Sequence, residues 1–267
     1  MNYVIVTGAA GGMGKSTALN LSKSGFKVFA LDYNDLDYSD SNIIPIKCDI
    51  TNSDSINNAY EEISKTTNDL YAIIHLAGIY YLDSLIEIDE NRFEKIFNVN
   101  VIGPYLINKA FINMLKRNSR IIIITSELAI RDPLPFTGIY AITKGALDKY
   151  AYSLAMELQL KDIWVSVLRP GAVATPMLKA STDELDNFCN NTKMYNISAN
   201  NFKNVVNSVE AKYILPDTLA KKINKILNKT KPKFNYSINR NKLLIMLDLL
   251  PIKLRFKIIK KILNKKK

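Results

Sequence analysis

The chain has 267 residues, 48% hydrophobic and 23% charged, which suits one large α/β domain with a substantial core and shows no disordered or repetitive bias. Its two cysteines, Cys48 and Cys189, stand far apart in no metal-like spacing, so neither a disulfide framework nor a metal site is expected, and both read as buried, inert thiols. The net charge of +11 is lopsided: Lys253 to Lys267 holds eight Lys or Arg and no acid, so the charge belongs to the tail and does not mark the main domain as a nucleic-acid binder.

The opening MNYVIVTG lacks a basic start, and no uncharged apolar run reaches membrane-spanning length, so a cytoplasmic protein is expected. NYVIVT reads as a buried strand and MGKSTALNLSKSG as the helix after it. KVFALD and IIPIKCDI read as strands, DSINNAYEEISKTT as a helix and LYAIIHLAG as a fourth strand. One extended helix is predicted over NRFEKIFNVNVIGPYLINKAFINMLK; then come a strand in RIIIITS, a long helix in GIYAITKGALDKYAYSLAMELQL and a sixth strand in IWVSVLRPG. Residues 177–212, rich in Asn and Ser, read as an irregular, mobile segment near the substrate, followed by a helix in PDTLAKKINKIL and a short strand in FNYSIN. Apolar strands alternating with helices predict a doubly wound parallel sheet, a single domain over 1–240 with a basic amphipathic helical tail over 241–267. One side of the tail helix carries Ile252, Phe256, Ile258, Ile259, Ile262 and Leu263 and the other mostly Lys. It could lie on an anionic membrane surface, pack on its own domain or pack on a partner subunit.

Residues 8–17, GAAGGMGKST, admit two readings. A phosphate loop of an ATPase needs a Gly five positions before Gly14, where this chain has Ala9, and the variant loop with a leading Lys has Ala10 in its place. A dinucleotide turn needs an acidic residue at the end of the second strand to accept from both ribose hydroxyls, and Asp32 stands there, eighteen residues after Gly14. That carboxylate would repel a 2′-phosphate, and Gly11, Tyr33 and Asn34 offer no basic side chain to offset it. NAD is therefore expected in preference to NADP.

From Met1 to about Pro176 the sequence resembles the short-chain dehydrogenase/reductase family, whose T-G-x-x-x-G-x-G motif is matched by Thr7, Gly8, Gly12 and Gly14. Further matches follow in order: Asp49, Ala77 and Gly78, Asn100, Ser126, Tyr140 with Lys144, then Pro170, Gly171 and Thr175. The chain departs from the family at His75 and Leu76, where Asn-Asn is common, and in the gap from Ser126 to Tyr140, fourteen residues against the usual thirteen. The resemblance implies a Rossmann fold, a homodimer or homotetramer through the two long helices, and a dinucleotide held by Gly8, Gly12, Met13, Gly14, Asp32, Asp49, Ile50, Ala77, Gly78, Tyr140, Lys144, Pro170, Gly171, Val173 and Thr175.

It also implies an oxidoreductase that moves a hydride between the dinucleotide and a secondary alcohol or ketone. A free phenol titrates near pH ~10, so Tyr140 as a base at neutral pH needs its pKa lowered by roughly 3, on the order of 4 kcal/mol. Lys144, four residues on and on the same helical face, would supply much of that. Ser126 would bond the substrate oxygen, and Asn100 would anchor a water relaying protons from Lys144. His75, the only histidine, reads as structural. Apolar candidates for the substrate wall are Tyr80, Tyr81, Leu134, Phe136, Met177, Leu178, Phe188 and Tyr195, favouring a sterol-like or retinoid-like molecule, as in the hydroxysteroid and retinol dehydrogenases of the family. Three other readings stand beside this one: an NADP-dependent carbonyl reductase of the same family, a dinucleotide-binding protein without catalysis and, disfavoured by Ala9 and Ala10, an ATPase.

Overall fold

Runs of Val, Ile and Leu that can be buried on both faces become central parallel strands, and five of the predicted runs do so. The computed structural model describes residues 2–208 and 212–265. The chain begins β1 (Tyr3–Thr7), α1 (Gly12–Lys23), β2 (Lys27–Asp32), β3 (Ile43–Lys47), α2 (Ser53–Ser64), β4 (Leu70–His75), α3 (Glu90–Phe97) and α4 (Gly103–Phe111). It continues β5 (Leu115–Ile124), α5 (Gly138–Leu158), β6 (Trp164–Pro170), α6 (Pro176–Asn191), α7 (Asn196–Ser208), α8 (Pro216–Leu227), β7 (Asn235–Ile238), α9 (Lys242–Asp248) and α10 (Ile252–Leu263).

All seven strands pair in parallel in the order β3-β2-β1-β4-β5-β6-β7. Alternate residues of each strand feed two cores. Ile5, Phe29, Ile73 and Ile121 pack under α2, α4 and α5, and Val4, Val28, Ile74 and Ile122 pack under α1 and α8. This is the expected doubly wound Rossmann sheet. Its chain order reverses between β1 and β4, which opens a crevice beyond their carboxyl ends.

Three expectations are corrected. The single helix after β4 is interrupted: α3 passes through a five-residue π turn, Asn98–Ile102, before α4, and β5 starts at Leu115, ahead of the predicted Arg120. The irregular segment over 177–212 is largely two helices, α6 and α7. Their Asn-rich sequences have weak helical propensity, but Leu185, Phe188 and Cys189 at i, i+3 and i+4, with Phe202, bury against Leu82 and Phe136, and burial decides the outcome. In the tail, α9 precedes the predicted helix, and α10 packs its Ile259 and Leu263 into the same small core, while Asn201 Nδ2 donates to the Leu263 carbonyl at 2.8 Å. Positions 1, 209–211 and 266–267 of those predicted ranges lie outside the described residues.

Candidate active site

The crevice is floored by the turn between β1 and α1. Gly14 sits so close to Gly8 that a Cβ there would lie 1.9 Å from the Gly8 carbonyl oxygen, and Gly8 itself has φ +72°. No side chain caps the start of α1 and no acid occupies its first turn, so its free amides and dipole face the cleft. At the end of β2, Asp32 accepts from the Ala10 amide at 2.9 Å and from the Asn34 amide at 2.9 Å, which fixes the carboxylate at the cleft edge. Lys15, which gives the turn its ATPase-like look, lies outside that lining, with Nζ 5.6 Å from the centre of the Tyr38 ring.

The cleft holds about 690 Å³ and is lined by Gly8, Gly12, Met13, Gly14, Asp32, Asp49, Ile50, Ala77, Gly78 and Thr175, all singled out in the sequence. It runs into a second pocket of about 280 Å³ through shared walls at Met13, Leu76, Gly78, Thr175 and Met177. Ser126, Tyr140, Lys144, Pro170, Gly171 and Val173 line this inner pocket. Three neighbouring strand ends and α5 thus bring together Gly78, Ser126, Tyr140 and Gly171, which lie far apart in the sequence.

Tyr140 and Lys144 stand one turn apart on α5, with the lysine Nζ 5.7 Å from the centre of the Tyr140 ring and 3.4 Å from the Ile124 carbonyl oxygen. Ser126 closes β5 in extended backbone; its oxygen accepts from the Leu128 amide at 3.2 Å, leaving its proton free to donate. Neighbouring Thr125 also lines the inner pocket, but its hydroxyl donates to Asp148 at 3.2 Å. Asn100 lies in the π turn, fully buried behind Gly78 and outside the lining of both pockets. Its side chain accepts from the Ile79 amide at 2.9 Å and donates to the Ile79 carbonyl at 3.0 Å and to Thr143 at 3.1 Å. It therefore staples the exit of β4 to α5 beside Lys144, and a π turn is a common device for aiming such a side chain.

A sequence family described as short chain dehydrogenase matches residues 2–186. The chain belongs to the short chain dehydrogenase family. It is an NAD(P)-dependent dehydrogenase or reductase, with a nicotinamide dinucleotide as its cofactor. This dehydrogenase is 31% identical to a 3-amino-tetrahydro-pyrrolizinone reductase of Xenorhabdus hominickii over 179 residues, which are 65% of this chain and 62% of that protein. It is 29% identical to estradiol 17-beta-dehydrogenase 2 of Mus musculus over 183 residues, 64% of this chain and 48% of that protein. A crystal structure of a short chain dehydrogenase family protein from Francisella tularensis superposes with a TM-score of 0.73 at 25% identity, covering 89% of this chain and 97% of that one.

In the dehydrogenase, burial disfavours both charges of the Tyr140–Lys144 pair. It pushes the Tyr140 phenol up to about 12, against an opposing hydrogen bond from Ser126, and the Lys144 ammonium down to about 8. The direction for Tyr140 is opposite to the lowering expected from Lys144, because the loss of water around the phenolate outweighs the one opposing contribution, the Ser126 hydrogen bond. His75 is buried and neutral: burial pulls its pKa down to about 4, and Nε2 shares a 2.9 Å hydrogen bond with Asn108 Oδ1.

The apolar residues predicted for the substrate wall divide. Tyr80, Met177 and Leu178 line the pocket, and the Tyr80 ring lies 4.8 Å from that of Tyr140. Leu134, Phe136, Phe188 and Tyr195 do not; they bury α6 and α7, with Phe136 and Phe188 ring centres 4.6 Å apart, and Tyr81 carries the Arg92 guanidinium on its ring. Leu128, Ser181, Leu244 and Glu127 line the pocket without having been found in the sequence. Glu127, next to Ser126, was open to discovery there; Leu244 lies 104 positions from Tyr140, and only the fold brings it near.

Proposed function

We propose that the protein transfers a hydride between NAD(H) and an apolar secondary alcohol or ketone, with Tyr140 as the general acid and base. The carrying observation is that Tyr140, Lys144 and Ser126 face one pocket that opens directly into the cleft over the glycine turn. The bound dinucleotide supplies or takes up the hydride. Ser126 donates to the substrate oxygen and holds it against the phenol; Tyr140 gives its proton to that oxygen during reduction and takes it back during oxidation. Lys144 holds the cofactor ribose and stabilises the phenolate that Tyr140 leaves behind. Asn100 keeps β4 and α5 in register and anchors the water through which Lys144 exchanges protons with solvent. Gly8, Gly12, Met13 and Gly14 take the pyrophosphate, Asp49 and Ile50 the adenine, Ala77 and Gly78 the ribose side, and Pro170, Gly171, Val173 and Thr175 the carboxamide.

Asp32 supports NAD over NADP: its carboxylate edges the cleft where ribose hydroxyls would donate to it, and Gly11, Tyr33 and Asn34 beside it are uncharged. Fluorescence titration should give NADH a Kd at least about tenfold below that of NADPH, with Asp32→Ala narrowing the ratio. Tighter NADPH binding would reject the assignment, and binding of neither would reject the function. Tyr80, Leu128, Met177, Leu178 and Leu244 support an apolar substrate over a sugar.

Exposed Tyr105 of α4, and Ile142, Tyr152 and Met156 of α5, support assembly of two or four copies through these helices. Among the described residues no helix is long and apolar enough to cross a membrane. Leu243, Met246, Leu249, Ile252 and Phe256 nevertheless remain exposed beside Lys253, Lys257 and Lys260, which supports peripheral contact with an anionic membrane. The protein should then float with phosphatidylserine-containing vesicles and lose that binding in Leu249→Asp/Phe256→Asp; equal recovery of both proteins would exclude the tail as the contact.

A further inference from the structure

Beyond the reacting end the inner pocket is apolar except at Ser181, whose hydroxyl donates to the Leu178 carbonyl at 2.7 Å, and at Glu127. This residue follows Ser126, is only 8% exposed, and has its two carboxylate oxygens in different surroundings. Oε2 accepts from the Asn241 amide at 2.8 Å and has the Arg131 guanidinium 3.9 Å away. Oε1 accepts from no donor among the described residues and lies against the Pro170–Gly171 turn, where a Cβ on Gly171 would come within 2.9 Å of it. Oε1 is not among the fully buried unpaired atoms of the described residues, so it stays within reach of a ligand, and an anchor for Asn241 needs only Oε2.

We infer that Glu127 reads a second hydrogen-bond donor, a hydroxyl or an amine, on an otherwise apolar alcohol or ketone substrate. This rests on the oxidoreductase reading of the same pocket. An ammonium or hydroxyl at Oε1 gains a charge-assisted hydrogen bond, whereas an ether leaves the oxygen unpaired and an acid or phosphate meets like charge. Arg131, paired with Asp248, compensates the carboxylate from behind and does not line the pocket. The far wall comes from the C-terminal segment. Asn241 gives its amide proton to Glu127 while its side chain accepts from the Leu243 amide at 2.9 Å and the Leu244 amide at 3.4 Å, so one residue both anchors α9 and sets Leu244 in the pocket.

The test uses the full chain, NAD⁺ and four alcohols that share one ring and one reacting carbinol: cyclohexane-1,4-diol, 4-aminocyclohexanol, 4-methoxycyclohexanol and 4-hydroxycyclohexanecarboxylate. The diol and the amino alcohol should exceed the ether and the acid in kcat/KM by about tenfold or more. In Glu127→Gln, which can still accept from Asn241, the ratio of amino alcohol to ether should fall at least about tenfold while the NADH Kd stays within about twofold. Glu127→Ala should do the same, with Glu127→Gln as the check on folding. Equal effects on all four alcohols would reduce Glu127 to an anchor and overturn the inference, as would a loss of NADH affinity, which would assign Oε1 to the cofactor. If NADH binds but none of the four turns over, their competition for the enzyme–NADH complex replaces kcat/KM, and equal affinities overturn the inference. If NADH does not bind, the oxidoreductase reading fails first and takes the inference with it.

Discussion

Tyr140→Phe should lower kcat by about 10³-fold or more, within the range spanned by removing a positioned acid or base, while the NADH Kd stays within about twofold. The substitution deletes one oxygen and keeps the ring that packs 4.8 Å from Tyr80, so the shape of the pocket is preserved. Three neighbouring groups are committed elsewhere: Thr125 donates to Asp148, His75 is buried in a bond to Asn108, and Lys144 turns its Nζ toward the Ile124 carbonyl. Burial pushes the Tyr140 phenol up to about 12, a direction that favours the acid form, which ketone reduction consumes. Lys144→Met is the contrasting variant. It should weaken NADH binding as well as turnover, because Lys144 both lines the pocket and lies against Gly78, whose added Cβ would come 3.3 Å from Nζ. Stopped-flow reduction of a ketone at saturating NADH separates the two effects. Tyr140→Phe activity within tenfold of wild type would remove the phenol from the mechanism.

The alternation of apolar strands with helices was legible because every central strand is buried on both faces, and the glycine turn was legible because backbone crowding at Gly8 and Gly14 admits no other residue. Sequence order also placed Ser126, Tyr140 and Lys144 in one pocket, since strand ends and the following helix meet at the same sheet edge. Less was visible where tertiary burial overrides local preference. The α6–α7 helices are Asn-rich and form because Phe136, held at φ +70°, presents its ring to Phe188, Tyr195 and Phe202, 4.6, 5.4 and 5.7 Å away. The same aromatic residues looked like a substrate wall because side-chain chemistry alone does not tell a pocket lining from a satellite core. Leu244 and the bond from Asn241 to Glu127 were invisible for another reason: they depend on β7 returning the chain to the edge of β6 beside the Pro170–Gly171 turn, a contact with no local signature.

The second large effect is on stability, and it lies behind Tyr140 and Lys144. Asp148, one turn beyond Lys144 on α5, accepts two bonds from Arg169, Nε to Oδ1 and Nη2 to Oδ2, each 2.7 Å, plus the Thr125 hydroxyl at 3.2 Å. Both side chains of the pair are about nine-tenths buried, with 9% and 10% of their surface exposed. Arg169 immediately precedes Pro170, so this one pair joins the helix of Tyr140 and Lys144 to the strand whose end carries the Pro170–Gly171 turn. Asp148→Ala would strand a buried guanidinium and should cost about 3–5 kcal/mol, lowering the thermal midpoint by roughly 10 °C for a chain of this size. Replacing both partners by apolar residues, Asp148→Leu with Arg169→Met, should restore most of that, because the large cost comes from the unpaired charge and not from the absence of the pair. Urea unfolding of the two single variants and the double closes the cycle. A loss below about 1 kcal/mol in Asp148→Ala would mean that water reaches Arg169. The restored double variant carries the functional readout: if the pair also aligns α5 with the Pro170–Gly171 turn, its stability should recover while its NADH affinity does not.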